Sequence, residues 1–225
     1  MDKLGLIVDS LPALLKGMWV TLQITFLTLG LGLVLALPIS FGQVYGNKWI
    51  KAFIAGYEKI LRSIPELVIL FLIFYGFPRI GIRFSPFVAV VIGLGFRSSA
   101  YQSQIFRGAI NSVSSAQMRA ARSLGMTNLK GFINVVLPQA VRIALPPWTN
   151  EFTIVLKDSS LAYALGVTEL LRQGGYIIAT KYEPMLIYLT VAVMYFVVTI
   201  IINKTLGSVE KRLAIPGFDV KETVR

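Results

Sequence analysis

The chain has 225 residues, of which 55% are hydrophobic and 15% are charged, and its mean hydropathy is +0.70. These values argue against an ordinary soluble domain and are typical of a membrane protein. The sequence contains neither Cys nor His, which excludes disulfides, thiolate or imidazole metal sites and His-based acid–base catalysis. The formal net charge of +11 agrees with the Lys and Arg excess of cytoplasmic loops, and nucleic-acid binding is not expected.

Five apolar stretches are long enough to cross a membrane as helices, which takes about 20 mostly apolar residues. They cover approximately 14–42, 51–77, 85–108, 132–161 and 184–207. The first is too long, and begins too far from residue 1, for a cleavable signal peptide. No linker divides the chain, so the sequence predicts an all-α membrane protein with a single domain, 1–225, and five transmembrane helices.

The positions of Lys and Arg predict how these spans are oriented, because cations concentrate in cytoplasmic loops. Such residues follow the first, third and fifth spans: Lys48, Lys51, Arg107, Arg119, Arg122, Lys130, Lys204, Lys211, Arg212 and Lys221. This distribution predicts an N-terminus outside and a C-terminus in the cytoplasm. Arg79 and Arg83, after the second span, run against the rule.

The second span carries charged side chains at membrane depth, where such groups usually face a partner or a cavity. Glu58, Arg62 and Glu66 follow one another at four-residue spacing, so they share one helical face. A Glu58–Arg62 ion pair near the cytoplasmic end is the favoured interpretation of the first two residues. Glu66 is the first candidate for a carboxylate that binds substrate.

In the third span, Arg97, Tyr101 and Gln104 lie on one helical face. Arg97 either binds a carboxylate of the substrate or pairs with Glu66 or Glu151 inside the protein, and the sequence pattern leaves both interpretations open.

The loop before the fourth span, "SSAQMRAARSLG", predicts a short cytoplasmic helix over about 114–125. Ser114 or Ser115 can cap its N-terminus, and Gly125 suits the left-handed residue that ends a helix. Small side chains allow a partner protein to come close to this helix, whereas the alternative is a helix lying on the lipid surface.

The fourth span places Glu151 and Asp158 on one face, with Asn150 and Lys157 on the neighbouring strip. A transport site is one interpretation, and the other is that Lys157 and Asp158 end the span at the outer interface.

The same span contains signals for a bend. Ser159 and Ser160 can donate hydrogen bonds to carbonyls one turn back. Together with Pro138, Pro146 and Pro147, they predict that the span is not a continuous rigid helix.

Several of these motifs resemble one known family. Arg119-Ala120-Ala121, then Gly125, then Val135-Val136-Leu137-Pro138 resemble the Glu-Ala-Ala, Gly, Ile-x-Leu-Pro signature of ABC-importer permeases. The phrases "LRSIPELV", "AYQSQIFRGAI" and "LKDSSLAYALGVTEL" are similar to the polar amino-acid uptake branch of that family, and the resemblance covers most of 15–215. Arg119 departs from the signature, because the family usually has Glu at that position, and related proteins often have Glu in place of Gln104.

The resemblance implies the permease subunit of an ABC importer in the cell inner membrane. The expected partners are two ATP-binding subunits, a second permease subunit that is identical or a close paralogue, an extracytoplasmic solute-binding protein and membrane lipid. The sequence has no phosphate-binding G-x-x-x-x-G-K-[ST] loop, so ATP and Mg²⁺ are expected on the partner ATPase, and this chain is expected to hold no cofactor, metal or catalytic residue. The 114–125 segment is then a coupling helix that docks onto the ATPase through Gln117, Arg119, Ala120, Ala121, Ser123, Leu124 and Gly125.

The expected function is import of a polar amino acid by alternating access. The candidate substrate-binding residues are Glu66, Arg97, Tyr101, Gln104, Asn150, Glu151, Asp158, Ser159 and Ser160. Their three acids suit a cationic side chain, and Arg97 suits an α-carboxylate, which favours arginine, lysine or histidine. Glutamine or glutamate and an ATP-independent channel are the alternatives.

Overall fold

The computed structural model describes residues 3–213, and all regular structure in that range is helical. Lys221 and both ends of the predicted domain lie outside the described residues. The α-helices are α1 (Lys3–Tyr45), α2 (Lys48–Ser63), α3 (Glu66–Phe71), α4 (Pro86–Ser112), α5 (Ser115–Ser123), α6 (Asn128–Gly131), α7 (Leu137–Asp158), α8 (Leu170–Lys181) and α9 (Pro184–Leu213). Two π-helical turns, Leu72–Gly76 and Phe132–Val136, and two 3₁₀-helices, Phe77–Ile80 and Ser159–Leu165, extend or connect them.

Helices α1, α4 and α7 form the centre of the fold. Gly32 of α1 lies directly against Gln102 of α4, and the absence of a side chain allows the two helices to come close. Gln102 donates to the Leu29 carbonyl of α1 at 3.2 Å and accepts from the indole N–H of Trp148 on α7 at 2.9 Å. One buried amide therefore joins three helices.

Helix α8, which the sequence reading did not identify, lies between α1 and α9. Its capping residue, Glu169, is fully buried and accepts from two backbone N–H groups of the first turn at 2.8 Å each. The Tyr195 hydroxyl on α9 donates to the same carboxylate at 3.1 Å. On the other side, Gly17 of α1 lies so close that a Cβ there would be 2.9 Å from the Leu170 Cα atom.

The predicted second span is not one straight helix. The segment Lys48–Ser63 and the segment Glu66–Ile80 meet at an angle of 103°. The break lies at Ile64 and Pro65, where Ile64 has φ −90° and ψ 132°. A residue before proline avoids the helical conformation, and proline has no N–H to donate, so the helix ends there.

Length and apolar composition identify two helices of the described chain as able to cross a membrane, α1 and α9. The bent segment Lys48–Ile80 adds a third if it counts as one span. Helices α4 and α7 correspond to the predicted third and fourth spans, but their polar and charged residues leave them less apolar. The five-span prediction is therefore supported in part.

The predicted break of the fourth span at Pro146 and Pro147 is wrong, because α7 continues through both residues. At its end, the chain changes from an α-helix to a 3₁₀-helix at the serines that predicted an interruption. A 3₁₀-helix begins at Ser159, whose hydroxyl donates to the Leu156 carbonyl at 2.6 Å.

Candidate functional site

Arg97, in the middle of α4, lies between two carboxylates from other helices. Its Nε atom is 2.7 Å from Oε1 of Glu66, and its Nη1 atom is 3.1 Å from Oδ2 of Asp158. The Arg97 side chain is 10% exposed, whereas those of Glu66 and Asp158 are 33% and 26% exposed. We call Glu66, Arg97 and Asp158 the charged triad. Its two acids are accessible to a solute while its guanidinium is held by the protein.

Each acid of the charged triad stands where a helix breaks. Glu66 is the first residue of α3, directly after the break at Pro65, and the positive end of that helix favours a negative charge there. Asp158 is the last residue of α7, directly before the 3₁₀-helix. With two carboxylates and one guanidinium, the triad carries a formal charge of about −1 when all three groups are ionised.

Tyr101 lies one helical turn from Arg97 and contacts two guanidinium groups. The Cζ atoms of Arg97 and Arg62 are 4.5 Å and 4.9 Å from the centre of its ring. Both distances are within the range of a cation–π interaction. Tyr101 therefore adjoins the charged triad, as the sequence pattern predicted.

Glu58 has different partners from those expected. The expected Glu58–Arg62 ion pair does not occur, since both ion pairs found between residues 3 and 213 involve Arg97. Instead, the buried Glu58 carboxylate accepts from Gln43 Nε2 at 2.6 Å, from Ser103 Oγ at 2.6 Å and from Gln104 Nε2. Gln104 thus belongs to the Glu58 cluster and not to the charged triad.

The remaining predicted binding residues do not join the triad. Glu151 is 3% exposed and accepts from Ser98 Oγ at 2.8 Å, so Arg97 pairs with Glu66 and Asp158 rather than with Glu151. Asn150 is exposed, and Ser159 is fully buried.

Ser160 lines a separate cavity of about 420 Å³ together with Lys157 and Tyr195. Of the nine predicted residues, the structure brings together Glu66, Arg97, Tyr101 and Asp158.

A second cavity, of about 450 Å³, lies among α1, α2 and α4. We call it the basic cavity, and its polar and charged lining comes from Gln43, Glu58, Lys59, Arg62, Ser63, Tyr101, Gln104 and Arg107. Sequence reasoning missed it, because its residues come from three helices with no shared spacing. Tyr101 borders both this cavity and the charged triad.

The short helix predicted over about 114–125 is present as α5, Ser115–Ser123. Ser114 caps it by accepting from Ala116 N at 3.3 Å, and Gly125 ends it with a φ of +80°. The exposed residues of the predicted coupling set are Gln117, Arg119, Ala120, Ser123, Leu124 and Gly125.

Ala121 was predicted to dock with them but is 3% exposed, because α5 packs this side against Gly131. It holds α5 to the rest of the chain and is not available to a partner.

Comparison with known proteins agrees with this architecture. Residues 28–215 match the family described as the inner membrane component of binding-protein-dependent transport systems. The probable amino-acid ABC transporter permease YckA of Bacillus subtilis (strain 168) is 36% identical over 209 residues, which are 93% of this chain and 92% of that protein. The glutamine transport system permease GlnP of Escherichia coli (strain K12) is 34% identical over 209 residues, 92% of this chain and 95% of GlnP. A crystal structure of an amino acid ABC transporter with histidines superposes with a TM-score of 0.84 at 35% identity, covering 94% of this chain and 99% of that one.

Proposed function

Because the chain belongs to the family of inner membrane components of binding-protein-dependent transport systems, as the permease of an amino-acid ABC importer, we propose that it carries a basic amino acid through the charged triad. A permease of this family lies in the inner membrane and works with ATP-binding subunits and a binding protein. The separate ATPase subunit hydrolyses ATP, and the chain itself is not an enzyme.

The charge of the triad is the observation that supports a basic substrate. An amino acid with a cationic side chain carries a net charge of about +1, which the triad charge of about −1 would neutralise. Arg97 is suited to receive the α-carboxylate, because a guanidinium binds a carboxylate through two parallel hydrogen bonds. Glu66 and Asp158 then receive the α-ammonium and the cationic side chain. An uncompensated charge at this depth is costly, so a neutral substrate fits less well.

Glutamine is the second candidate, for one specific reason. Arg62 lies 4.9 Å from the Tyr101 ring centre, so the cluster that includes this additional cation has no net charge. A zwitterion without a charged side chain would suit that wider cluster. The permease GlnP, which is 34% identical to this chain, is named for glutamine transport.

The proposal includes a topology. The five spans are α1, the bent segment Lys48–Ile80, α4, α7 with its flanking turns, and α9, and the N-terminus is outside. Helix α5 is then cytoplasmic and acts as the coupling helix. Its exposed Ala120 and its Leu124, which is 80% exposed, offer the docking contacts. A second permease subunit completes the path, and two ATPase subunits bind ATP and Mg²⁺.

The proposed mechanism is alternating access. Closure of the ATPase subunits pulls α5, and rigid-body motion of the attached helices exposes the charged triad to one side of the membrane and then to the other.

The test is ATP hydrolysis by this chain reconstituted with its ATPase subunits and binding protein. Arginine, lysine, histidine, glutamine and glutamate are added in turn. Stimulation by the basic amino acids is the expected result, whereas stimulation by glutamine alone would establish the second candidate. If no amino acid stimulates an assembled and active complex, or if uptake continues without the ATPase, the proposal is wrong.

A further inference from the structure

The basic cavity carries cations that the rest of the described chain leaves unneutralised. Lys59 and Arg62 on α2 and Arg107 on α4 line it. None of the three forms an ion pair with a carboxylate of residues 3–213, since the two ion pairs in that range are those of Arg97. Lys59 and Arg62 are exposed and Arg107 is half-buried, so their charged groups are accessible to a ligand that enters the cavity. The cavity is therefore suited to an anionic group that comes from outside the chain.

The same cavity also offers an acceptor without a donor. Gln43 is 9% exposed and lines the cavity, and its Oε1 atom has no hydrogen-bond partner in the described structure. Its Nε2 atom already donates to Glu58, which fixes the amide. A buried acceptor without a donor costs about 1–3 kcal/mol, so such groups usually meet water or a ligand. The neighbouring Glu58 carboxylate accepts three hydrogen bonds and has room for a fourth.

Cations without an ion-pair partner and acceptors with free capacity, lining the same cavity, match the two ends of a zwitterion. We propose that the basic cavity is a second binding site for the transported amino acid, on the cytoplasmic side of the charged triad. Arg62 and Arg107 bind its α-carboxylate, and Gln43 Oε1 and Glu58 accept from its α-ammonium. The volume of about 450 Å³ lies within the range of small-molecule sites. This inference rests on the proposed function and orientation.

Tyr101 explains how an amino acid would pass from one site to the other. Arg97 and Arg62 both lie within 5 Å of its ring centre, at 4.5 Å and 4.9 Å. A carboxylate that leaves Arg97 therefore meets Arg62 after passing one aromatic side chain. Because the two guanidinium groups are so close, the substrate carboxylate would be without a cationic partner only briefly, and an unpaired charge is costly in a low dielectric. From Arg62, the cavity continues along α4 towards Arg107, near the end that precedes α5.

Equilibrium dialysis of the permease–ATPase complex, without nucleotide or binding protein, tests the inference by stoichiometry. Labelled arginine is the probe, and labelled glutamine replaces it if arginine does not stimulate the ATPase. The wild-type complex should bind two amino acids per permease chain. R107Q should bind one, with the affinity of that remaining site changed by less than about twofold, since Arg107 bonds to Gln104 and not to a triad residue. R62Q should also bind one, but the affinity of its remaining site is expected to shift as well, because Arg62 and Arg97 contact the same Tyr101 ring. K51Q is the matched control, because Lys51 is exposed on α2 outside the cavity lining and should leave both sites filled.

The possible failures are distinguishable. One amino acid per wild-type chain, or equal weakening of both sites by R107Q, overturns the second site and leaves the importer intact. Binding of no amino acid by a folded complex overturns the proposed function together with this inference.

Discussion

The charge balance of the triad makes a quantitative prediction for Glu66→Gln. Glu66 Oε1 lies 2.7 Å from Arg97 Nε, and the Glu66 side chain is 33% exposed, so a substrate can reach it. Substitution by Gln keeps the size and one acceptor but takes the triad from about −1 to neutral. A hydrogen bond to a charged group contributes about 1.5–3 kcal/mol, so arginine should lose about 2 kcal/mol of binding free energy, or about 30-fold in Kd. Glutamine has no cationic side chain and should lose less than about threefold.

The assay is equilibrium binding of labelled arginine and glutamine to the permease–ATPase complex. Glu183→Gln is the matched control, because Glu183 is an exposed acid between α8 and α9, remote in sequence from the triad residues. It should leave both affinities unchanged. If Glu66→Gln weakens arginine and glutamine equally, Glu66 does not select the cationic side chain. If it weakens neither, Glu66 only supports Arg97 structurally, and the reasoning from net charge is refuted.

Three further substitutions test the fold and the docking surface. Gly17→Ala should destabilise the chain by about 1–3 kcal/mol and lower the midpoint of its thermal unfolding, because the new Cβ would lie 2.9 Å from the Leu170 backbone. Gly30→Ala is the control and should not lower the midpoint, because a Cβ at Gly30 would have no atom within 4 Å. Equal midpoints for the two variants would contradict the close packing of α8 on α1. Ala120→Leu should leave the unfolding midpoint unchanged but reduce the amount of ATPase that co-purifies with the permease at least about tenfold, since the larger side chain would keep the partner from close contact with α5. Ala179→Leu, at an exposed position on α8, is the control. If both variants retain the same amount of ATPase, α5 does not dock at Ala120. Gly125→Ala should lower the free energy of unfolding by about 1–2 kcal/mol, because Gly125 has a φ of +80°. Gly108→Ala, within α4 and with open space around the new Cβ, should not lower it. Equal unfolding midpoints for the two variants would refute this prediction.

The charged triad and the adjoining Tyr101 were partly predictable, because two features of this site are local in the sequence. The spacing of Arg97 and Tyr101 places them on one face of α4, and Glu66 stood out as an acid at the start of an apolar run. Gln104 lies on the same face of α4 yet bonds to Glu58, because α2 passes α4 at that level. That crossing depends on tertiary structure, so periodicity along one helix cannot predict it. Ala121 is a similar case, since its burial is decided by Gly131 of another segment.

In the fold, too, features that are local in the sequence were predictable, and features that depend on tertiary contacts were not. Apolar length located α1 and α9, whereas α8 was missed because its 12 residues include two adjacent glycines and resemble a loop. Proline weakens a helix at every interior position, but its effect depends on the surroundings. Pro65 coincides with a bend of 103°, while Pro146 and Pro147 lie within a continuous α7. Neighbouring elements decide between these outcomes, and a single sequence does not specify them.

Both triad acids lie at helix breaks, and this position would link substrate binding at the triad to the arrangement of α3 and α7. Arg97 lies in the middle of α4, whereas Glu66 begins α3 and Asp158 ends α7, so each ion pair joins a helix end to the interior of α4. Under the proposed function, a substrate carboxylate that replaced either acid at Arg97 would break the ion pair that holds that helix end. Thermodynamic reciprocity then requires that a force which moves the same helix end away from Arg97 strengthens carboxylate binding there. Under the proposed function, the two ion pairs would therefore couple substrate binding to the positions of these helix ends.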